Sequence, residues 1–142
     1  MFDIQGRCHC GNIRVAIRLT RAPGSYSPRA CDCGFCLKHA AAYVSDPQGA
    51  VAFDVRDSLQ VGRYKQGSQT AEFLFCKGCG VLVGVVYPSR DGTFAAINSR
   101  IVEDAQFGPE TAVSPQKLSA GEKVKRWEEV WFSNVVMPVL RD

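Results

Sequence analysis

The chain has 142 residues, 46% of them hydrophobic and 22% charged. That balance excludes a disordered polypeptide and lets one domain bury a core without cross-links. The net charge is only +3, with acids scattered among the bases, so no basic stripe exists to track a nucleic-acid backbone and no nucleic-acid partner is expected.

The N-terminal MFDIQGRCHC has no basic region leading into an apolar run, so no secretory signal is expected there. The longest apolar run, Gly80 to Tyr87, is far too short to span a bilayer. A soluble, cytoplasmic protein with no membrane partner is therefore expected.

Along the chain, strand patterns dominate. Asn12 to Leu19 alternates Ile13, Val15, Ile17 and Leu19 against polar or small neighbours, the period of a half-buried strand. Lys38 to Tyr43 predicts the start of a short helical turn. AYVSD and AVAFDV read as short strands about Asp46-Pro47-Gln48-Gly49, most simply a hairpin turn. LQVGRYK, TAEFLFC, VLVGVVY and, after the Arg90-Asp91-Gly92 turn, GTFAAINSR are further strands. Pro109 and Pro115 bracket an irregular polar stretch, and Ser119 to Trp127 predicts a helical turn. Trp127 and Trp131 are four apart and, with Phe132, suit a core or lid role. Many short strands between Gly and Pro turns predict an all-β fold, a sandwich, barrel or folded pair of sheets, in a single domain over residues 1–142.

The seven cysteines are an odd set that disulfides alone cannot use up. They fall into three groups: Cys8-His9-Cys10, Cys31-Asp32-Cys33-Gly34-Phe35-Cys36, and Cys76-Lys77-Gly78-Cys79-Gly80. In a reduced compartment such clusters read as metal ligands, and thiolates suit zinc. The C-x-x-C-G form is a knuckle whose turn aims both sulfurs inward. On a strand, Cys8 and Cys10 would share a face, with His9 turned away. Pairing Cys8 and Cys10 with Cys76 and Cys79 gives a closed four-cysteine site; two ordinary buried thiols at Cys8 and Cys10 are the alternative.

Cys31, Cys33 and Cys36 would leave one tetrahedral position open, as catalytic zinc sites do, and a small thiol could fill it. Three alternatives stay open: closure by His9, His39 or a carboxylate, a different partition of the sulfurs between two metals, and a metal-free redox cluster.

With these groups in fixed order, and with GRCHCGNIRV, AYVSDPQGAV, LQVGRYKQGSQTAEFLFCKGCG and AAINSR around them, the chain resembles the glutathione-dependent formaldehyde-activating enzymes over roughly Phe2 to Glu103. That family shares its domain with centromere protein V. The resemblance implies an Mss4-like β-tent of folded antiparallel sheets with short helical turns. It implies two zinc ions. A structural one is held by Cys8, Cys10, Cys76 and Cys79, and a catalytic one, open to being labile, by Cys31, Cys33 and Cys36.

The implied activity is of the carbon–sulfur lyase type, joining glutathione or a similar small thiol to formaldehyde or a related aldehyde. Where family members commonly carry arginine after the triplet, this chain has Leu37, followed by Lys38 and His39. The resemblance makes Lys38, His39, Asn98 and Arg100 the expected substrate contacts, Lys38 as a point charge and His39 as a donor or base. A loop histidine and a solvent-facing sheet edge are the plainer alternatives. A zinc-stabilised thiol- or partner-binding module without turnover is the alternative function. A sulfoxide reductase of related fold would need a cysteine left over from metal-like spacings, and none is.

Overall fold

The repeated short strand patterns fold into two open sheets. The computed structural model describes residues 1–140, so the last two positions of the expected domain, 141–142, lie outside it. In chain order the strands are β1 (Phe2–Arg7), β2 (Ile13–Leu19), β3 (Arg29–Cys31), β4 (Ala42–Val44), β5 (Ala50–Val55), β6 (Val61–Tyr64), β7 (Glu72–Cys76), β8 (Leu82–Ser89), β9 (Gly92–Asn98), β10 (Thr111–Val113) and β11 (Asn134–Val136). Two α-helices accompany them, α1 (Gly34–Lys38) and α2 (Ala120–Val130). The four-stranded sheet runs β1-β2-β5-β11 and the seven-stranded sheet β10-β3-β4-β9-β8-β7-β6. The expected all-β, Mss4-like arrangement of unclosed sheets is the one observed.

Its sheets are mixed where antiparallel ones were expected: β10 pairs with β3, and β11 with β5, in parallel. Parallel neighbours need long crossovers, and here the C-terminal third of the chain supplies both. No helix among the described residues is long and apolar enough to cross a membrane.

β2 buries Ile13, Val15, Ile17 and Leu19 and exposes Arg14, Ala16 and Arg18, as its alternation predicts. These side chains form one core with Val51 and Phe53 of β5 and with Val44, Leu74, Val83, Val86, Ala95 and Ile97 of the larger sheet. Each of these valine, leucine, isoleucine and phenylalanine side chains contributes roughly 1.5–3 kcal/mol by leaving water.

The opposite face of the seven-stranded sheet is also covered. Tyr43, Leu82, Val85 and Ala96 pack there with Cys31, Cys33, Cys36, Trp127 and Trp131. Burial on both faces explains why β8 reads as a near-continuous apolar run.

Four local expectations are corrected. The helical turn placed at Lys38 is α1, which begins at Gly34 because the Cys33 sulfur accepts the Cys36 N–H and so caps it. Asp46-Pro47-Gln48-Gly49 does make a turn, with the Gly49 N–H on the Asp46 carbonyl at 3.0 Å. It joins no hairpin, because it carries the chain from β4 in one sheet to β5 in the other. The Asp46 carboxylate sits in this corner and accepts from the Tyr26 hydroxyl, both the backbone and hydroxyl of Thr20, and the Gln48 N–H. Third, the stretch between Pro109 and Pro115 contains β10, whose partner β3 lies eighty-two residues back at Thr111↔Arg29. Last, the turn at Ser119 is the first of an eleven-residue helix, fastened by the reciprocal Ser119–Glu122 capping box.

Candidate functional site: two cysteine clusters and a cationic cavity

Cys8 and Cys10 lie on the turn after β1, not on a strand as expected, because Gly11 adopts φ +83° and reverses the chain. The Cys8 N–H donates to the Ile13 carbonyl at 2.9 Å, and the Gly11 N–H to the Cys8 carbonyl at 3.1 Å. The Ile13 N–H donates to the Cys8 sulfur at 3.3 Å. Cys76 repeats the pattern between β7 and β8: its N–H donates to the Val81 carbonyl at 3.0 Å, and Gly80, at φ +80°, donates to the Cys76 carbonyl at 2.7 Å. A register shift between Leu74 and Phe75 precedes this knuckle. His9, between its neighbours, is exposed.

The sulfurs of Cys8, Cys10, Cys76 and Cys79 all lie within 4.8 Å of one another. Cys8 and Cys10 are 3.7 Å apart and Cys10 and Cys76 3.6 Å. A tetrahedron with metal–sulfur bonds of about 2.3 Å has edges of about 3.8 Å. The donor set and spacing thus fit a thiolate-bound metal such as zinc. Burial pushes the Cys76 thiol up to about 12. Burial also acts to raise Cys79, but N–H groups of Cys10 and Val81 and the neighbouring thiols outweigh it and bring Cys79 down to about 6.

The second cluster is built from a strand end and a helix start. Cys31 ends β3, Cys33 caps α1, and Cys36 sits on the first turn of α1, so the three sulfurs also lie within 4.8 Å of one another. Among the described residues no histidine or carboxylate joins them. His39 instead ends α1, exposed, with its ring 4.7 Å from that of Phe35. The Asp32 carboxylate accepts from Gln116 at 3.1 Å. A hydrogen bond from Cys36 lowers Cys31 to about 6, and the same bond, with burial, drives Cys36 up. Of this coupled pair, Cys31 thus takes the negative charge while Cys36 keeps its proton.

Cys31, Cys33 and Cys36 line one wall of a cavity of about 400 Å³. Tyr43, Phe73, Val85, Trp127 and Trp131 supply much of its apolar surface. Trp127 and Trp131 stack with ring centroids 4.9 Å apart, both buried, which bears out a core or covering role. The Tyr43 hydroxyl lies 3.2 Å from the Cys36 sulfur. Burial first, then the charge of Cys36, raises the Tyr43 pKa, so that its oxygen keeps its proton and can donate to a thiolate. Gln66 reaches the Cys33 sulfur at 3.8 Å.

None of the four expected substrate contacts lines this cavity. Lys38 is exposed, because two residues beyond Cys36 a helix presents its opposite side. Leu37 is exposed as well. Asn98 is buried but spends its amide on the Leu82 carbonyl and its oxygen on the Arg100 N–H, capping a short 3-10 turn. Arg100 is held at the surface by the Ala40 carbonyl at 3.0 Å and Glu110 at 2.7 Å.

The cations that do line the cavity are Arg29, Lys123 and Arg126. Arg29 precedes Cys31 by two on β3, so the two share a face, and it pairs across the sheet with Tyr43. Burial and then the charge of Arg126 lower Arg29 to about 10, which leaves it charged at neutral pH. Its placement was readable from the spacing to Cys31. That of Lys123, Arg126 and Trp127 was readable from their helical spacing of three and four.

A search of protein families finds that residues 3–117 match the model described as "Glutathione-dependent formaldehyde-activating enzyme". Among solved structures, a Rhodobacter sphaeroides protein known from its crystal structure has a similar fold, with a TM-score of 0.58 at 24% identity, covering 76% of this chain and 100% of that one. No curated protein matches.

Proposed function

Because the chain belongs to the glutathione-dependent formaldehyde-activating enzyme family, we propose that it joins a small thiol of the glutathione type to formaldehyde or a related aldehyde, with zinc as its metal. Cys8, Cys10, Cys76 and Cys79 would hold a structural ion, and Cys31, Cys33 and Cys36 the working one. The observation that carries this reading is the second cluster: three sulfurs within 4.8 Å, no fourth protein ligand among the described residues, and a cavity in front of them.

The reaction is an addition. The thiol sulfur bonds to the carbonyl carbon, the C=O π pair moves onto oxygen, and the thiol's proton ends on that oxygen. Cys31, Cys33 and Cys36 would hold a zinc ion, which when bound would favour thiolate over thiol at neutral pH. Tyr43 steadies the Cys36 sulfur by donating to it. Trp127 and Trp131 give the cavity an apolar wall against which the reactants' carbon atoms can pack. The cavity holds the two reactants together and so saves the entropy of their meeting.

The test is exchange spectroscopy of glutathione and formaldehyde with the zinc-loaded protein, against a protein-free control. Accelerated exchange that disappears in Cys33→Ser supports the reading. Glutathione binding without acceleration would leave a thiol-binding module.

A further inference from the structure

We propose that Arg29 and Arg126 form a carboxylate subsite that makes the cavity select mercaptocarboxylates over thiols that carry no carboxylate, an inference that rests on the thiol-binding reading above. Three observations support it.

First, the cavity lining contains three cationic side chains, Arg29, Lys123 and Arg126, and not one aspartate or glutamate. Zinc held by three thiolates carries one net negative charge, which leaves two positive charges over. A bound thiolate cancels one more. The last is free for a second anionic group on the same ligand.

Second, these cations lack carboxylate partners. The Arg29 guanidinium donates to the Ser45 hydroxyl at 2.7 Å, and that hydroxyl donates to the Val130 carbonyl at 2.6 Å at the end of α2. Among the described residues neither Arg29, Lys123 nor Arg126 has a carboxylate within ion-pair distance, and the Arg126 side chain makes no hydrogen bond. Two guanidinium groups facing one cavity repel each other, and an anion between them relieves that repulsion. A carboxylate also matches the planar fork of each guanidinium.

Third, the backbone fixes where this pair stands. Arg29 shares a strand face with Cys31 and is tied through the Ser45 hydroxyl to the end of α2, and Arg126 lies beside Trp127 on the cavity side of α2. A thiol at the cysteines can therefore reach the arginines with its far end. An ammonium on the same ligand finds no acidic partner in the lining.

Titration calorimetry on the zinc-loaded protein tests this with four probes. 3-Mercaptopropionate, 2-mercaptoethanol and cysteamine differ at the end away from sulfur, and 3-(methylthio)propionate keeps the carboxylate but cannot form a thiolate. Mercaptopropionate should bind about tenfold or more tighter than mercaptoethanol, as a charge-assisted hydrogen bond warrants, and cysteamine weakest. Arg29→Gln or Arg126→Gln should bring the ratio of mercaptopropionate to mercaptoethanol affinity down to about one, whatever the loss common to both thiols, and Arg29→Lys should restore part of that ratio. Arg126→Gln breaks no hydrogen bond among the described residues, so it carries the test should Arg29→Gln fail to fold.

Equal affinity for mercaptopropionate and mercaptoethanol, or an advantage that survives both substitutions, overturns the subsite and leaves the thiol site standing. Binding of 3-(methylthio)propionate that depends on the arginines, without any preference for thiols, supports the subsite and overturns the thiol reading. No binding by any probe overturns both.

Discussion

The Cys10 sulfur lies 3.6 Å from the Cys76 sulfur across a sequence separation of 66. The first belongs to the turn of the β1–β2 hairpin in the smaller sheet, the second to the β7–β8 turn in the larger. A metal at this point fastens one sheet to the other, whereas Cys31, Cys33 and Cys36 fall within a single local stretch. The two clusters should therefore behave differently when broken. Cys76→Ser should lose one zinc per chain and a sizeable part of the roughly 5–15 kcal/mol that stabilises a domain. Cys33→Ser should lose the other zinc with little change in melting temperature. Thermal unfolding with metal analysis checks this, and equal losses would contradict the division of labour.

Tyr43→Phe removes the hydroxyl that faces the Cys36 sulfur and little else. Support of this kind is worth about 10–100-fold in metal affinity or activity. Competition with a chelator should show weaker zinc retention at the three-cysteine cluster and unchanged retention at the four-cysteine one. Equal retention at both would mean that the hydroxyl only fills space.

Asp46 should make stability depend on acid. Burial opposes its charge, but hydrogen bonds from Thr20, Tyr26 and Gln48 outweigh that, lowering its pKa from 3.8 to about 2. The stabilisation is fully present above the unfolded value. It should fade as pH falls through the folded one, by on the order of 2 kcal/mol. Urea unfolding of the wild type and Asp46→Asn as a function of pH should show the two curves converging at low pH.

Gly49 should tolerate no side chain. A Cβ there would stand 2.3 Å from the Arg18 carbonyl oxygen and 3.0 Å from the Phe132 ring. The obstacle is backbone, which cannot swing aside. Gly49→Ala should cost about 1–3 kcal/mol in equilibrium unfolding, as overpacking does.

What could be read in the sequence was what depends on near neighbours. The alternation in β2 and the cysteine spacings are local, because a strand face and a knuckle are each made within a few residues. Nearness of Lys38 and His39 to Cys36 along the chain did not foretell that both are exposed and stand outside the cavity lining, since a helix turns them outward. β10 and β11 have three residues each, too few to show a period, and their partners are distant in sequence. Asp46-Pro47-Gln48-Gly49 announced a reversal, but turn chemistry does not say whether the next strand stays in the same sheet. The cavity could not be read locally, since its lining joins Arg29 and Cys31 of β3 to Lys123, Arg126 and Trp127 of α2, some ninety residues later.

Both parallel pairings must wait until the C-terminal part of the chain has been made. The strand that borders β5 is made some eighty residues after it, at Asn134↔Ala50, and the helix carrying Arg126 comes later still than β10. A ribosome thus releases the N-terminal hairpins and every cysteine well before the pieces that roof the second cluster. For that interval the nascent thiols are open to oxidants and to stray metal ions, so the cell's reducing power bears on the yield of this protein as well as on its chemistry.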